Sequence, residues 1–176
     1  MSPSTAHEPQ FRAWLEEHRG IFGKVARSYG RGEHEIAELQ QEMMFQVWLS
    51  LPRFAGQAKS STWIYRVCLN TALTWRRGAE RRERRFDRQA DPAALAAESA
   101  TPADLAGERE LLENLYAAIQ ALAEVDRALV LLSLDGFAYR EIAEVTGLTE
   151  NHVGVALTRA RKRLATLMKG AIDELE

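Results

Sequence analysis

Residues 139–164 read YREIAEVTGLTENHVGVALTRARKRL. Apolar residues recur at helical spacing on both sides of Thr146-Gly147-Leu148. The stretch therefore predicts two helices, Tyr139 to Val145 and Thr149 to about Met168, joined by a tight turn. Gly147 can take the positive φ that such a turn needs, and Thr149 can cap the second helix. Ile142, Ala143, Val145 and Leu148 form the packing face of the first helix and turn, and Val153, Ala156 or Leu157, and Leu164 continue it on the second. Glu150, Asn151, His152, Gly154, Val155 and Thr158 are left to face outward, ahead of Arg159, Arg161, Lys162 and Arg163. Such a helix suits a DNA major groove, with its first turns on base edges and its basic end on phosphates. Helix pairs with a glycine turn are common. What favours DNA is the run from Arg159 to Lys169, five cations with no acid among them.

Moving outward, Leu111, Leu112, Leu115, Ile119 and Leu122 make one apolar stripe, and Leu129, Leu132 and Ser133 mark a further helix ended by Asp135-Gly136. From about Arg77 to Gly107 the periodicity fails, Pro92 and Pro102 interrupt the chain, and the later part reads as a flexible linker. Towards the N-terminus, Phe11, Trp14, Leu15, Phe22, Val25 and Tyr29 share a helix face that ends at Gly30 and Gly32. A second helix runs from about Glu35 to Leu51, with Ile36, Leu39, Met43 and Val47 as its stripe and Pro52 as its stop. Residues 52–61, PRFAGQAKSS, form a loop from which Ser60 or Ser61 can cap the next helix. Trp63, Ile64, Val67, Cys68, Thr71 and Trp75 line that helix, and the arginine-rich stretch beyond can extend it. No alternating strand is evident. The expectation is an all-α chain of two small helical domains, 1–88 and 109–176, joined by an acidic flexible linker at 89–108.

Composition narrows the functional classes. The 176 residues suffice for one domain or two small ones. No apolar run reaches the ~20 residues of a membrane span. The start, MSPSTAHEPQ, lacks the basic and apolar parts of a secretion signal, so the cytoplasm is expected. Cys68 is the sole cysteine, in an apolar setting that favours a buried structural thiol. His7, His18, His34 and His152 are scattered, so neither a metal centre nor another cofactor is expected. No carboxylate pair, nucleophile–base set or phosphate loop is recognisable, so an enzyme is the least favoured class. The net charge of −2 hides a separation. Trp75 to Arg88 holds seven arginines against Glu80, Glu83 and Asp87, whereas Gln89 to Asn114 holds six acids against Arg109. Two basic patches flanking an acidic connector suggest two contacts with one polyanion. Either patch alone would read as a solvated helix face.

Residues 136–167, GFAYREIAEVTGLTENHVGVALTRARKRLATL, resemble the fourth conserved region of sigma factors. EIAELQQEMMFQVWLSLPRF at 35–54, followed by STWIYRVCLNTALTWRR at 61–77, resembles their second region. Order, spacing and acidic linker match the extracytoplasmic-function (ECF) group of the sigma-70 family. The resemblance implies a transcription initiation factor that binds core RNA polymerase, directs it to promoters and promotes DNA opening, and that an anti-sigma protein can hold inactive. It places core docking on Glu38, Leu39, Gln41, Glu42, Phe45 and Trp48. Gln41, Phe45 and Trp48 lie three to four residues apart, away from Ile36, Met43 and Val47, and an aromatic face edged by carboxylates suits protein binding. The alternative packs Phe45 and Trp48 beneath the first helix.

The loop Phe54 to Ser61 and the helix after it match the part that captures the downstream promoter element. Lys59, Ser61, Trp63, Arg66, Asn70, Arg76 and Arg77 are its candidate residues: Asn70 for a base edge, Arg66, Arg76 and Arg77 for phosphates, and Trp63 with Tyr65 for stacking, although Trp63 also suits the core. The upstream element falls to Thr149, Asn151, His152, Val155, Thr158, Arg159, Arg161 and Arg163. Gly154-Val155-Ala156 departs from the family's Lys-Ser-Arg-like run; Val155 and Ala156 can instead meet thymine methyl groups. Ala138 replaces the usual Ser or Thr cap, at a cost of about 1 kcal/mol. The rival readings are a helix-turn-helix regulator that acts without polymerase and a helical interaction module that does not bind DNA.

Overall fold

The computed structural model describes residues 7–86 and 106–173, which form seven α-helices and, among the described residues, no strand. Helices α1 (Glu8–Tyr29), α2 (Gly32–Ser50) and α3 (Ser60–Phe86) build the first domain. In α1 the side chains of Trp14, Ile21, Phe22, Val25 and Tyr29 fall on one face and are buried. The helix closes at Gly30, whose N–H bonds to Ala26 O at 2.8 Å. A Cβ at Gly30 would lie 3.0 Å from the Ile36 nitrogen, so α2 can approach this closely only past a glycine. Leu39, Met43 and Val47, four residues apart, are fully buried in α2. Pro52 then sits in a single 3₁₀ turn, Leu51–Arg53. Helix α3 buries Ile64, Tyr65, Cys68, Leu69 and Ala72. It continues through the arginine-rich stretch as far as Phe86. Burial pushes the Cys68 thiol well above its ordinary pKa, as the structural reading of that residue requires.

Helices α4 (Ala106–Gln120), α5 (Glu124–Leu134), α6 (Tyr139–Thr146) and α7 (Glu150–Asp173) build the second domain. Ile119, Leu122, Leu129, Leu132, Ile142, Val145, Val153 and Leu157 are its buried centre. The stripe expected in α4 is shorter than the sequence suggests. Leu111 and Leu112 are exposed, because burial begins only at the half-buried Leu115. Gly136 turns the chain at φ +77°, and Gly147 joins α6 to α7 at φ +75°. Thr149 Oγ1 accepts the His152 N–H at 3.3 Å, as the cap assignment requires. At Ala138, Glu141 compensates for the missing hydroxyl: its carboxylate accepts the Ala138 N–H at 2.9 Å. The linker assigned to 89–108 lies largely outside the described residues, and its last three residues belong to α4.

The two domains pack against each other along a largely polar seam that the sequence did not suggest. Arg127, only 8% exposed, donates to Ser28 O at 3.0 Å, Gln120 O at 2.5 Å and Leu122 O at 3.2 Å. Its guanidinium lies 4.7 Å above the Tyr29 ring. Gln120 reaches back to Arg27 O and Gly30 O, and Tyr29 donates to Glu124 O. At the other end Asp135 accepts from Lys24 and, at 2.5 Å, from the Tyr65 hydroxyl, while the Tyr65 ring stands edge-on to Phe137 at 5.1 Å. Lys59 pairs with Glu141 at 2.7 Å, and Arg66 donates to Glu144 O.

Candidate nucleic-acid and polymerase interfaces

The turn at Gly147 sets α7 across α6, and Val153, Leu157 and Ala160 anchor its inner face. Thr149, Asn151, His152, Val155, Thr158, Arg159, Arg161 and Arg163 are all exposed, so the candidate upstream set shares one helix. The arginines are not equivalent. Arg159 sits 3.0 Å from the buried carboxylate of Asp126, and Arg161 donates to Ser133 Oγ at 2.5 Å. Thr158 spends its hydroxyl on Gly154 O at 2.9 Å. A residue absent from the sequence-based set joins this face: Tyr139, at the start of α6, lays its ring beside Gly154. Its signal was the bare helix surface that Gly154 leaves, which invites a neighbouring ring.

On α3, Asn70 and Arg77 are exposed. Asn70 lines a groove of about 400 Å³ between α2 and α3 with Glu42, Gln46, Trp75 and Arg82. The indole N–H of Trp75 is buried without a protein partner. Arg76 is mostly covered, with its guanidinium 3.9 Å from Glu80. Lys59 and Arg66 are exposed but held by the second domain, and Ser61 is half-buried. Trp63 is half-buried in an aromatic cluster with Trp14 and Phe54. Tyr65 is a correction: it is fully buried and bonded to Asp135, so its ring cannot stack on a base in this arrangement.

On α2, Glu38, Gln41 and Phe45 are exposed, Phe45 by 54%. Glu42 is half-buried and bonds Gln46 at 2.8 Å. Trp48 packs edge-on against Phe11 of α1 at 5.0 Å, partly as the alternative reading held. Leu39 is a second correction: it is fully buried with Met43 and Val47 and presents nothing to a partner.

Two family models match the chain. Sigma-70 region 2 covers residues 10–82, and Sigma-70, region 4 covers residues 112–164. The chain belongs to the ECF group of the sigma-70 family. Region 2 thus falls on α1–α3 and region 4 on α4–α7, in the family order. Among ECF sigma relatives, SigG of Mycobacterium tuberculosis is 28% identical over 98% of this chain; the chain spans only 55% of that protein. The sigma-E factor of Escherichia coli K12 is 28% identical over 74% of this chain and 72% of its own length. The fold resembles that of the sigma factor RpoE from Bartonella quintana, solved with the anti-sigma factor NepR, at a TM-score of 0.71 and 20% identity, covering 91% of this chain and 97% of that one. It also resembles CnrH, solved with the cytosolic domain of CnrY, at a TM-score of 0.65 and 21% identity over 95% and 92%. Across this sigma chain no described helix is long and apolar enough to cross a membrane. No described cluster of His, Cys, Asp and Glu could hold a metal.

Proposed function

We propose that the chain is a promoter-specific initiation factor acting in the cytoplasm, without catalysis of its own. It carries core RNA polymerase to duplex DNA through region 4 and opens the downstream element through region 2. One observation carries the reading: regions 2 and 4 occupy separate helical bodies, each with an exposed candidate surface for a different part of one DNA. Core polymerase docks on the α2 face of Glu38, Gln41, Glu42, Phe45 and Trp48. Two large aromatic side chains beside carboxylates are the kind of patch that concentrates binding energy. Region 2 gains opening energy by holding a base better once unpaired. The groove beside Asn70 offers a base edge the exposed Asn70 amide, which can both donate and accept. Arg66, Arg77 and Lys59 hold phosphates.

Lys59 and Arg66 are engaged by the second domain here, so the two bodies must part before both can reach DNA. Placing the domains 1–88 and 109–176 on a connector allows that, and simultaneous engagement then raises their joint affinity. An anti-sigma partner that favours the closed arrangement would keep the factor silent by mass action. The deciding experiment is transcription in vitro with sigma-free core polymerase on native genomic fragments. Mapped starts are expected; their absence on every template ends the proposal. Phe45→Ala with Trp48→Ala is expected to weaken retention of core polymerase about a hundredfold. Unchanged retention by the folded double variant would move the docking site elsewhere.

A further inference from the structure

The open end of α7 has an unusual chemistry for a DNA-reading helix. From Glu150 to Thr158 it carries no arginine or lysine. Glu150, Asn151, Gly154, Val155, Thr158 and Tyr139 line one shallow depression on its surface. The only formally charged side chain among them is the Glu150 carboxylate. Val155 stands 67% exposed, although burial is what an isopropyl group prefers. Tyr139 is 44% exposed, and its ring occupies the space a side chain at 154 would need: a Cβ there would meet Tyr139 Cε2 at 3.3 Å. Gly154 therefore does more than omit a cation. It lets an aromatic ring from α6 lie on the reading face beside Val155.

We infer that Tyr139, seated on Gly154, and Val155 form an apolar receptor for the C5-methyl group of thymine in the upstream element, with Asn151 reading an adenine edge nearby. The inference rests on the proposed role of region 4 in holding upstream duplex DNA. The major groove offers only one apolar feature that distinguishes bases, the thymine methyl. An exposed valine flanked by a ring is complementary to it. Asn151 has the paired donor and acceptor that adenine N7 and N6 require. The first cation along α7, Arg159, is tied to Asp126 and does not line the depression. Discrimination at this site accordingly depends on methyl contact and a neutral amide, not on charge.

The test uses holoenzyme assembled from core polymerase and the full chain on a promoter it initiates from. Each upstream thymine is replaced in turn by deoxyuridine, which keeps the base pair and removes only the methyl. At one or two positions affinity should fall about fourfold, the worth of burying one methyl group. Val155→Ser should bind the thymine and uracil promoters alike. Tyr139→Phe should retain the discrimination. Gly154→Ala, which pushes the ring aside while favouring the helix, should reduce it. Normal initiation with no uracil penalty at any position overturns the receptor and leaves the proposed function standing. Failure to initiate from any native promoter overturns both.

Discussion

The proposed DNA-facing sides of α3 and α7 hold their charge in different ways. Around α3, cationic charge is abundant and partly engaged: Lys59 pairs with Glu141, Arg66 donates to Glu144 O and Arg76 turns to Glu80, whereas Arg77 stays exposed. Along the first turns of α7 the surface is open and its one formal charge is the Glu150 carboxylate; cations begin only at Arg159. Part of the basic charge is thus held in contacts of the closed chain, and the open face of α7 is the less basic of the two. The difference teaches that basic charge and open surface are divided between the two domains. In the proposed function, docking on polymerase brings the two surfaces onto one DNA.

That contrast can be broken at the seam. Arg127→Ala leaves the carbonyls of Ser28, Gln120 and Leu122 without their donor, and should lower stability by about 3 kcal/mol. Urea unfolding will read this as a lower midpoint. The unpartnered Arg127 Nε slightly reduces the expected loss. Next in size, Asp135→Ala removes the acceptor shared by Lys24 and Tyr65. In the closed form the buried Tyr65 hydroxyl would then lack a partner, so the open form should gain about tenfold in population. An increase in radius by small-angle scattering, with stronger binding to forked DNA by the chain alone, checks this. An unchanged radius would show that the remaining contacts hold the domains together.

Two smaller effects sharpen the comparison. Arg161→Ala with Arg163→Ala should weaken holoenzyme binding to the upstream duplex. It should also flatten the dependence of log affinity on log salt by about 0.9 for each phosphate that is no longer neutralised. Because Arg161 also bonds Ser133, a melting curve of the variant must accompany the binding data. The smallest effect is on pH. The Lys59 hydrogen bond, with the Ala138 N–H, holds the Glu141 carboxyl below its ordinary value of 4.5. A depressed carboxyl stabilises the closed form above its ordinary value and loses that contribution as pH falls through the depressed one. The wild-type chain should therefore open slightly more than Glu141→Gln does as the pH drops below about 4.5. Identical scattering profiles would mean that this exposed pair contributes nothing.

How much was legible in the chain follows from what kind of force made each part. The helices and the Gly147 turn could be read, because apolar spacing and backbone permissiveness are local properties. Leu39 shows the limit of resemblance as a guide. Its four-residue spacing from Met43 and Val47 placed it in the buried stripe, and that spacing outweighed its place in a docking motif. Tyr65 was misread because its covering comes from Asp135 and Phe137, far along the chain. Arg127 left a faint trace, a charge inside the apolar run of α5, but its partners are mainly backbone carbonyls, which no side-chain pattern encodes. Tyr139 was missed because the decisive feature at 154 is the absence of a side chain.

Cys68 has a practical consequence of a different kind. Buried among apolar neighbours and kept protonated, it offers oxidants and maleimides no thiolate. It is the only sulfhydryl in the sequence, so thiol-directed reagents find no accessible target on the folded chain. The same inertness makes the native sequence a clean background for dyes. Cysteines introduced at the exposed Arg53 and Arg140 would be the sole reactive sites, letting energy transfer report each parting of the domains in real time.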